Sequence, residues 1–354
     1  MTIRVVVVDD SPLVRSVLTG LINREADLQV VGTAADPYAA REMIRELDPD
    51  VITLDVEMPR MDGLEFLSRL MRLRPMPVVM ISTLTERGAQ TTLRALELGA
   101  VDFVAKPTLA QRAGLEEAAR EITAKIRAAA SARVARRPLA ADPPPAPVQP
   151  VARPALPARD TQLLVAMGAS TGGTEALREV LTRLPAAFPG IVVTQHMPAG
   201  FTGSFAARLD SLCRLRVKEA QDGERILQGH VFIAPGGWHL HVERSGGGYV
   251  ARVTAGDPVN RHIPSVDVLF RSVAQHAGPR AFGVMLTGMG ADGAEAMRVM
   301  RDRGAFNLVQ DEASCVVFGM PRAAIAAGAA DEVLPLMEIP KRLAERVSLA
   351  RTST

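Results

Sequence analysis

All six histidines, His196, His230, His239, His241, His262 and His276, lie in the second half of the chain, so imidazole-based acid–base chemistry belongs there. The run VAMGASTGGTEAL places Ser170 in a glycine-rich turn between a strand pattern and a helix pattern. Small glycines let the backbone turn sharply and expose the hydroxyl, and a helix N-terminus favours negative charge developing beside it. A serine hydroxyl is a weak nucleophile until a base takes its proton, and the base works best when a carboxylate fixes its tautomer. The next strand pattern, IVVT, ends in Gln195-His196-Met197-Pro198, and the later one, AFGVMLTG, ends in Met289-Gly290-Ala291-Asp292-Gly293. Ser170, His196 and Asp292 can therefore fill the roles of nucleophile, base and orienting carboxylate. Each is common alone in ordinary turns and strand ends; the case rests on three types converging on one sheet edge. His262, in VNRHIPSVD, is the competing base.

The first half carries a different chemistry. Asp9 and Asp10 end a first strand pattern, Asp55 a third, Ser82 a fourth and Lys106 a fifth. In an open parallel sheet these positions share the crevice at the carboxyl ends of the strands. Clustered carboxylates need a counter-charge, and a hard, oxygen-seeking cation such as Mg²⁺ supplies it, with Lys106 completing the neutralisation. Aspartates also end strands simply as turn formers, but three of them with a lysine and a hydroxyl on one edge make a phosphoryl-accepting pocket.

The elements that must position these residues follow from periodicity. Before residue 125, strands near Arg4–Val8, Gln29–Gly32, Val51–Leu54, Val78–Ile81 and Val101–Val104 alternate with amphipathic stretches. Five βα units imply an α/β, doubly wound parallel sheet, a (βα)5 flavodoxin-like arrangement. After residue 160 the alternation resumes near Leu163–Met167, Ile191–Thr194, His230–Ala234 and Phe282–Leu286, with a helix over Thr174–Leu184 and a β-hairpin around His239–Thr254 turning at Gly246–Gly248. This predicts a second doubly wound, mainly parallel α/β domain. Between them, ASARVARRPLAADPPPAPVQPVARPALPARD is proline-rich and lacks apolar periodicity, which reads as an extended spacer. The expected division is 1–125, a linker over 126–159, and 160–350. With 41 Lys and Arg against 39 Asp and Glu, the net charge of +2 is far from that of a nucleic-acid binder. Two distant cysteines, Cys213 and Cys315, suggest neither zinc nor disulfides, and the absence of a signal-peptide core or an 18-residue apolar run points to a cytoplasmic protein with no membrane insertion.

Residues 1–125 resemble the response-regulator receiver family through VVDDS at Val7–Ser11, LDVEMPRMDG at Leu54–Gly63, the Ser82-Thr83 pair and Lys106-Pro107. The resemblance implies that Asp55 accepts a phosphoryl group, and that Asp10, Asp55 and the Glu57 backbone carbonyl bind Mg²⁺ with help from Asp9. It also implies that Ser82 and Lys106 meet the phosphoryl oxygens and that Phe103 is the switching aromatic. Residues 160–349 in turn resemble the chemotaxis protein-glutamate methylesterases through GASTGGTEAL, TQHMPAGFT, VNRHIPSVDVLF, LTGMGADGA and SCVVFGMPR. That family's pattern assigns Ser170 as nucleophile, His196 as base and Asp292 as its partner, with Met289 and Thr171 near the oxyanion and no cofactor for the esterase. It further implies demethylation and deamidation of chemoreceptor side chains, a histidine kinase as phosphodonor, association with receptor clusters, and an unphosphorylated receiver that hinders the active site. The linker is longer and richer in Pro and Ala than the family pattern, which leaves linker-mediated receptor tethering in doubt.

Two other function classes compete. Gly288-Met289-Gly290-Ala291-Asp292-Gly293 is a literal GxGxxG after a strand, with Asp311 downstream, as in NAD-binding folds. It falls late in its domain and leaves GASTGG and QHMP unexplained. A receiver-controlled scaffold without catalysis would leave the three triad residue types without a purpose.

Overall fold

The computed structural model describes residues 2–56, 58, 63–83, 85–106, 112–132, 134 and 159–352. The chain divides into two compact units, one on either side of residue 142.

The first unit alternates β1 (Ile3–Val8), α1 (Pro12–Ile22), β2 (Leu28–Ala34), α2 (Pro37–Leu47), β3 (Val51–Asp55), α3 (Gly63–Leu73), β4 (Val78–Ser82), α4 (Glu86–Leu98), β5 (Asp102–Ala105) and α5 (Arg112–Ala130). All its strand pairs are parallel, in the order β2-β1-β3-β4-β5. Helices on both faces bury the central strands, which is why Val5–Val8 and Val78–Ile81 read as unbroken apolar runs and not as alternation. Ser11, Asp36 and Thr85 cap α1, α2 and α4 through side-chain oxygens. Helix α5 continues to Ala130, five residues into the segment read as linker. Its Ile122, Ile126 and Ala129 are buried, so apolar spacing held the helix past the expected boundary.

In the second unit, β6 (Leu164–Ala169), α6 (Gly173–Leu181), β7 (Gly190–Gln195), α7 (Thr202–Leu212), β8 (Arg216–Glu219), β9 (Arg225–Ile226) and β10 (His230–Ile233) lead into the hairpin β11 (His239–Ser245) and β12 (Gly248–Thr254). Then come α8 (Val266–His276), β13 (Ala281–Met285), α9 (Ala294–Asp302), β14 (Phe306–Gln310), α10 (Met320–Ala326), β15 (Glu332–Leu334) and α11 (Ile339–Thr352). Seven strands form a parallel sheet in the order β15-β14-β13-β6-β7-β10-β8, and β11-β12-β9 form a separate antiparallel sheet. The hairpin register runs from His239 opposite Thr254 to Ser245 opposite Gly248, so the expected hairpin forms with a tighter turn, Gly246 and Gly247, and Gly248 already in β12. From β6 the chain winds one way through β7 and β10, then returns to β6's other side through β13. The strand order therefore reverses around β6, where open α/β sheets bind ligands. A buried hydrophobic cluster lies under this region and includes Phe232, Leu240, Leu269, Phe270, Met285, Met297 and Met300. No helix among the described residues is long and apolar enough to cross a membrane.

Candidate active site

The chain leaves β6 at Ala169 and enters α6 at Gly173 through a turn that only glycines permit. Gly172 has φ +75°, and a Cβ there would meet Val316 at 2.6 Å. A Cβ at Gly173 would sit 2.2 Å from Gln195 Oε1. Half-buried Ser170 is thus set at the N-terminal end of α6, where the helix dipole favours a developing anion. Its own N–H is spent on the Thr287 carbonyl at 3.0 Å, which removes it from the candidates for oxyanion donor.

His196 follows β7, the strand beside β6. The His196 N–H donates to the Ala169 carbonyl at 3.1 Å. The Gln195 amide nitrogen donates to the Ser170 and His196 carbonyls at 2.9 and 3.1 Å, tying the two loops together. Imidazole Nε2 lies 2.8 Å from Asp292 Oδ2, with both side chains almost entirely buried. Nδ1 is also buried and has no hydrogen-bond partner among the described residues. A neutral ring that donates through Nε2 keeps its lone pair on Nδ1, so Nδ1 is the basic atom.

Asp292 is held by more than the imidazole. Oδ1 accepts from Asn260 Nδ2 and Ser265 Oγ, each at 2.8 Å, and Oδ2 accepts from the Val266 N–H at 2.7 Å. Ser265 caps α8, and its hydroxyl donates a hydrogen bond to Asp292, so the carboxylate sits on the N-terminus of that helix. Burial alone would raise the carboxyl, but the His196, Asn260 and Ser265 hydrogen bonds outweigh it and hold the pKa down at about 2. The segment 259–266 that supplies these donors also places His262 flat against His196, ring centroids 3.7 Å apart and planes 8° from parallel. Asn260, Ser265 and the Val266 amide escaped the sequence reading. Their signal is the serine cap before an apolar helix, but nothing in the sequence says which carboxylate that cap will hold.

Met289 is half-buried at the rim, and its N–H has no acceptor among the described residues. Thr171 is buried, and its carbonyl accepts from Thr287 Oγ1 at 3.0 Å. Two of the GxGxxG glycines serve packing, whereas Gly290 has open space around it and a left-handed φ of +86°. A Cβ at Gly288 would meet Met320 Sδ at 2.4 Å, and one at Gly293 would meet Val266 Cγ1 at 2.3 Å. Asp311, which the dinucleotide reading needs for a ribose, instead bonds Ser314 N and Oγ.

In the first unit, carboxylate oxygens of Asp9, Asp10 and Asp55 lie within 4.8 Å of one another. Lys106 Nζ donates to Asp55 Oδ2 at 2.7 Å and lies 3.2 Å from Asp9 Oδ2. That Asp9 oxygen is buried with the Lys106 ammonium beside it, and the three carboxylates together form an all-oxygen donor set that fits a hard cation. Burial works against the Lys106 ammonium, but the Asp55 hydrogen bond and the charges of Asp55 and Asp9 outweigh it and raise its pKa above the ordinary value. Ser82 is fully buried, its hydroxyl accepting from Thr92 Oγ1 at 2.7 Å. Phe103 is buried with Lys125 Nζ 5.0 Å from its ring centroid. Glu57, the expected carbonyl ligand, lies outside the described residues.

Known proteins similar to this chain identify its family. The CheB methylesterase family matches residues 165–343, and the response regulator receiver domain matches residues 5–120. The protein-glutamate methylesterase/protein-glutamine glutaminase 1 of Albidiferax ferrireducens is 62% identical over 98% of this chain and 95% of its own length. A second relative so named, from Cupriavidus pinatubonensis, is 58% identical over 98% of this chain and 96% of its own. Among solved structures, the Thermotoga maritima CheB methylesterase catalytic domain is 42% identical, with a TM-score of 0.51 over 52% of this chain and 98% of that one. With a serine turn, an imidazole and a buried carboxylate at the strand-order reversal of its second unit and an acidic crevice in its first, the chain belongs to the CheB methylesterase family and carries a response regulator receiver domain ahead of the catalytic one.

Proposed function

We propose that the chain is a phosphorylation-regulated serine hydrolase that demethylates glutamyl methyl esters, and deamidates glutamines, on chemoreceptors. The observation that carries this reading is the buried His196–Asp292 pair, with Nδ1 left unpartnered beside the Ser170 turn. Ser170 Oγ attacks the ester carbonyl carbon while His196 Nδ1 takes its proton. The Met289 N–H and the α6 terminus, with Thr171 beside them, face the negative charge that develops on the carbonyl oxygen. The imidazolium, steadied by Asp292, gives its proton to departing methanol as the C–O bond breaks, leaving an acyl-enzyme. Water, deprotonated by His196, attacks the acyl carbon and restores Ser170 with release of the carboxylate. A glutamine amide follows the same course with ammonia leaving, in keeping with the double name of the relatives. Methanol release from methylated receptor membranes tests the reading. Ser170→Ala is expected to lower it by on the order of 10³-fold or more, and an undiminished rate overturns the mechanism.

For the first unit, Asp55 is the phosphoacceptor, with a kinase phosphohistidine as donor. Asp9, Asp10 and Asp55 would hold Mg²⁺, which when bound offsets the charge of the incoming phosphoryl group. Lys106 holds Asp55 in place and meets the phosphoryl oxygens. Ser82 and Phe103 carry the switching roles, which require the Ser82 hydroxyl to leave Thr92. Substrate and kinase both place the protein at the cytoplasmic side of receptor arrays.

A further inference from the structure

We propose that His262 is a positioning residue for the hydrolysis, holding the His196 imidazole in the one orientation in which it bonds Asp292 and presents Nδ1 to Ser170. The inference rests on the serine-hydrolase reading above and adds a residue to it.

Among the described residues His196 makes one side-chain hydrogen bond, Nε2 to Asp292 Oδ2 at 2.8 Å. A single bond lets an imidazole swing about the bond axis, which would carry Nδ1 away from the serine. The face of the ring is where that swing can be stopped, and there His262 lies parallel, 3.7 Å between centroids and 8° between planes. The His262 backbone is itself fixed. Its N–H donates to the Val259 carbonyl at 2.9 Å and its carbonyl accepts from the Val259 N–H at 3.0 Å. These bonds close a two-residue turn through Asn260 and Arg261, both at positive φ, 51° and 70°. Asn260 Nδ2 in that turn bonds Asp292 Oδ1, so one tight loop grips the carboxylate with one residue and covers the imidazole with another. The ring's orientation and the carboxylate's position are therefore set by the same backbone. A competing role for His262 as the base itself needs its nitrogen, whereas a positioning role needs only a flat ring.

That difference gives the test. Steady-state methanol release from methylated receptor membranes is measured for the full-length protein, Ser170→Ala, His262→Ala and His262→Phe, with circular dichroism and a melting curve for each. Losing the cover is expected to lower kcat by on the order of ten- to a hundredfold, as small misplacements of catalytic groups do, with KM unchanged. His262→Phe is expected to recover most of the rate. Full kcat in a folded His262→Ala overturns the proposal, and so does a folded His262→Phe as slow as His262→Ala, which would assign the nitrogen a chemical role. Should Ser170→Ala remain active, the hydrolase reading fails instead, so the two failures are told apart.

Discussion

A carboxylate that accepts four short hydrogen bonds while buried is expected to be ionised wherever the protein is folded, and Asp292 has that environment. Its pKa of about 2 against an ordinary 3.8 means that the unfolded chain binds the proton more tightly. The resulting stability is fully present above about pH 3.8 and is lost as the pH falls toward 2. In urea titrations, the stability difference between wild type and Asp292→Asn is expected to change by about 2 kcal/mol in favour of the variant between pH 5 and pH 2. A pH-independent difference would show that the hydrogen bonds do not discriminate charge. Asn260→Ala removes one charge-assisted bond, worth about 1.5–3 kcal/mol, and is expected to lower kcat roughly tenfold with little change in KM. Steady-state kinetics on receptor membranes check that split.

Strand ends do most of the positioning, and they were legible because apolar runs of four or five residues stop at polar ones. β6, β7 and β13 deliver Ser170, His196 and Asp292 as the runs LVAM, IVVT and FGVML imply. Less could be read where periodicity is too short. β8, β9, β14 and β15, of two to five residues, are strands because neighbours pair with them, a condition a single segment does not reveal. The 259–266 loop was legible only as a place for a second histidine, since its hold on Asp292 depends on α8 pointing its N-terminus at a residue 26 positions away. The turn into α6 predicts its own sensitivity. In Gly173→Ala the new methyl would lie 2.2 Å from Gln195 Oε1 and 2.6 Å from Ala169 Cβ. A cost of about 1–3 kcal/mol is expected, seen as a lower melting temperature, together with a loss of activity as the Gln195 amide is pushed aside.

Across the whole chain, two doubly wound sheets carry two chemistries at the carboxyl ends of their strands, one fit for a hard cation and a phosphoryl group and the other for acyl transfer. Under the proposed function, phosphorylation of the first unit raises hydrolysis by the second. A small phosphodonor with Mg²⁺ is expected to speed methanol release by the full-length protein and to leave Asp55→Asn unchanged. An equal response in the variant would separate the acidic crevice from control of hydrolysis. Within the second unit, the Gln195 side chain holds the peptide oxygens of Ser170 and His196 at once. Under the proposed function, one primary amide thus couples the peptide unit of the attacking residue to that of the proton acceptor, next to the β6–β7 pairing of Ala169 with Gln195, so that a displaced Gln195 side chain would disturb both at once.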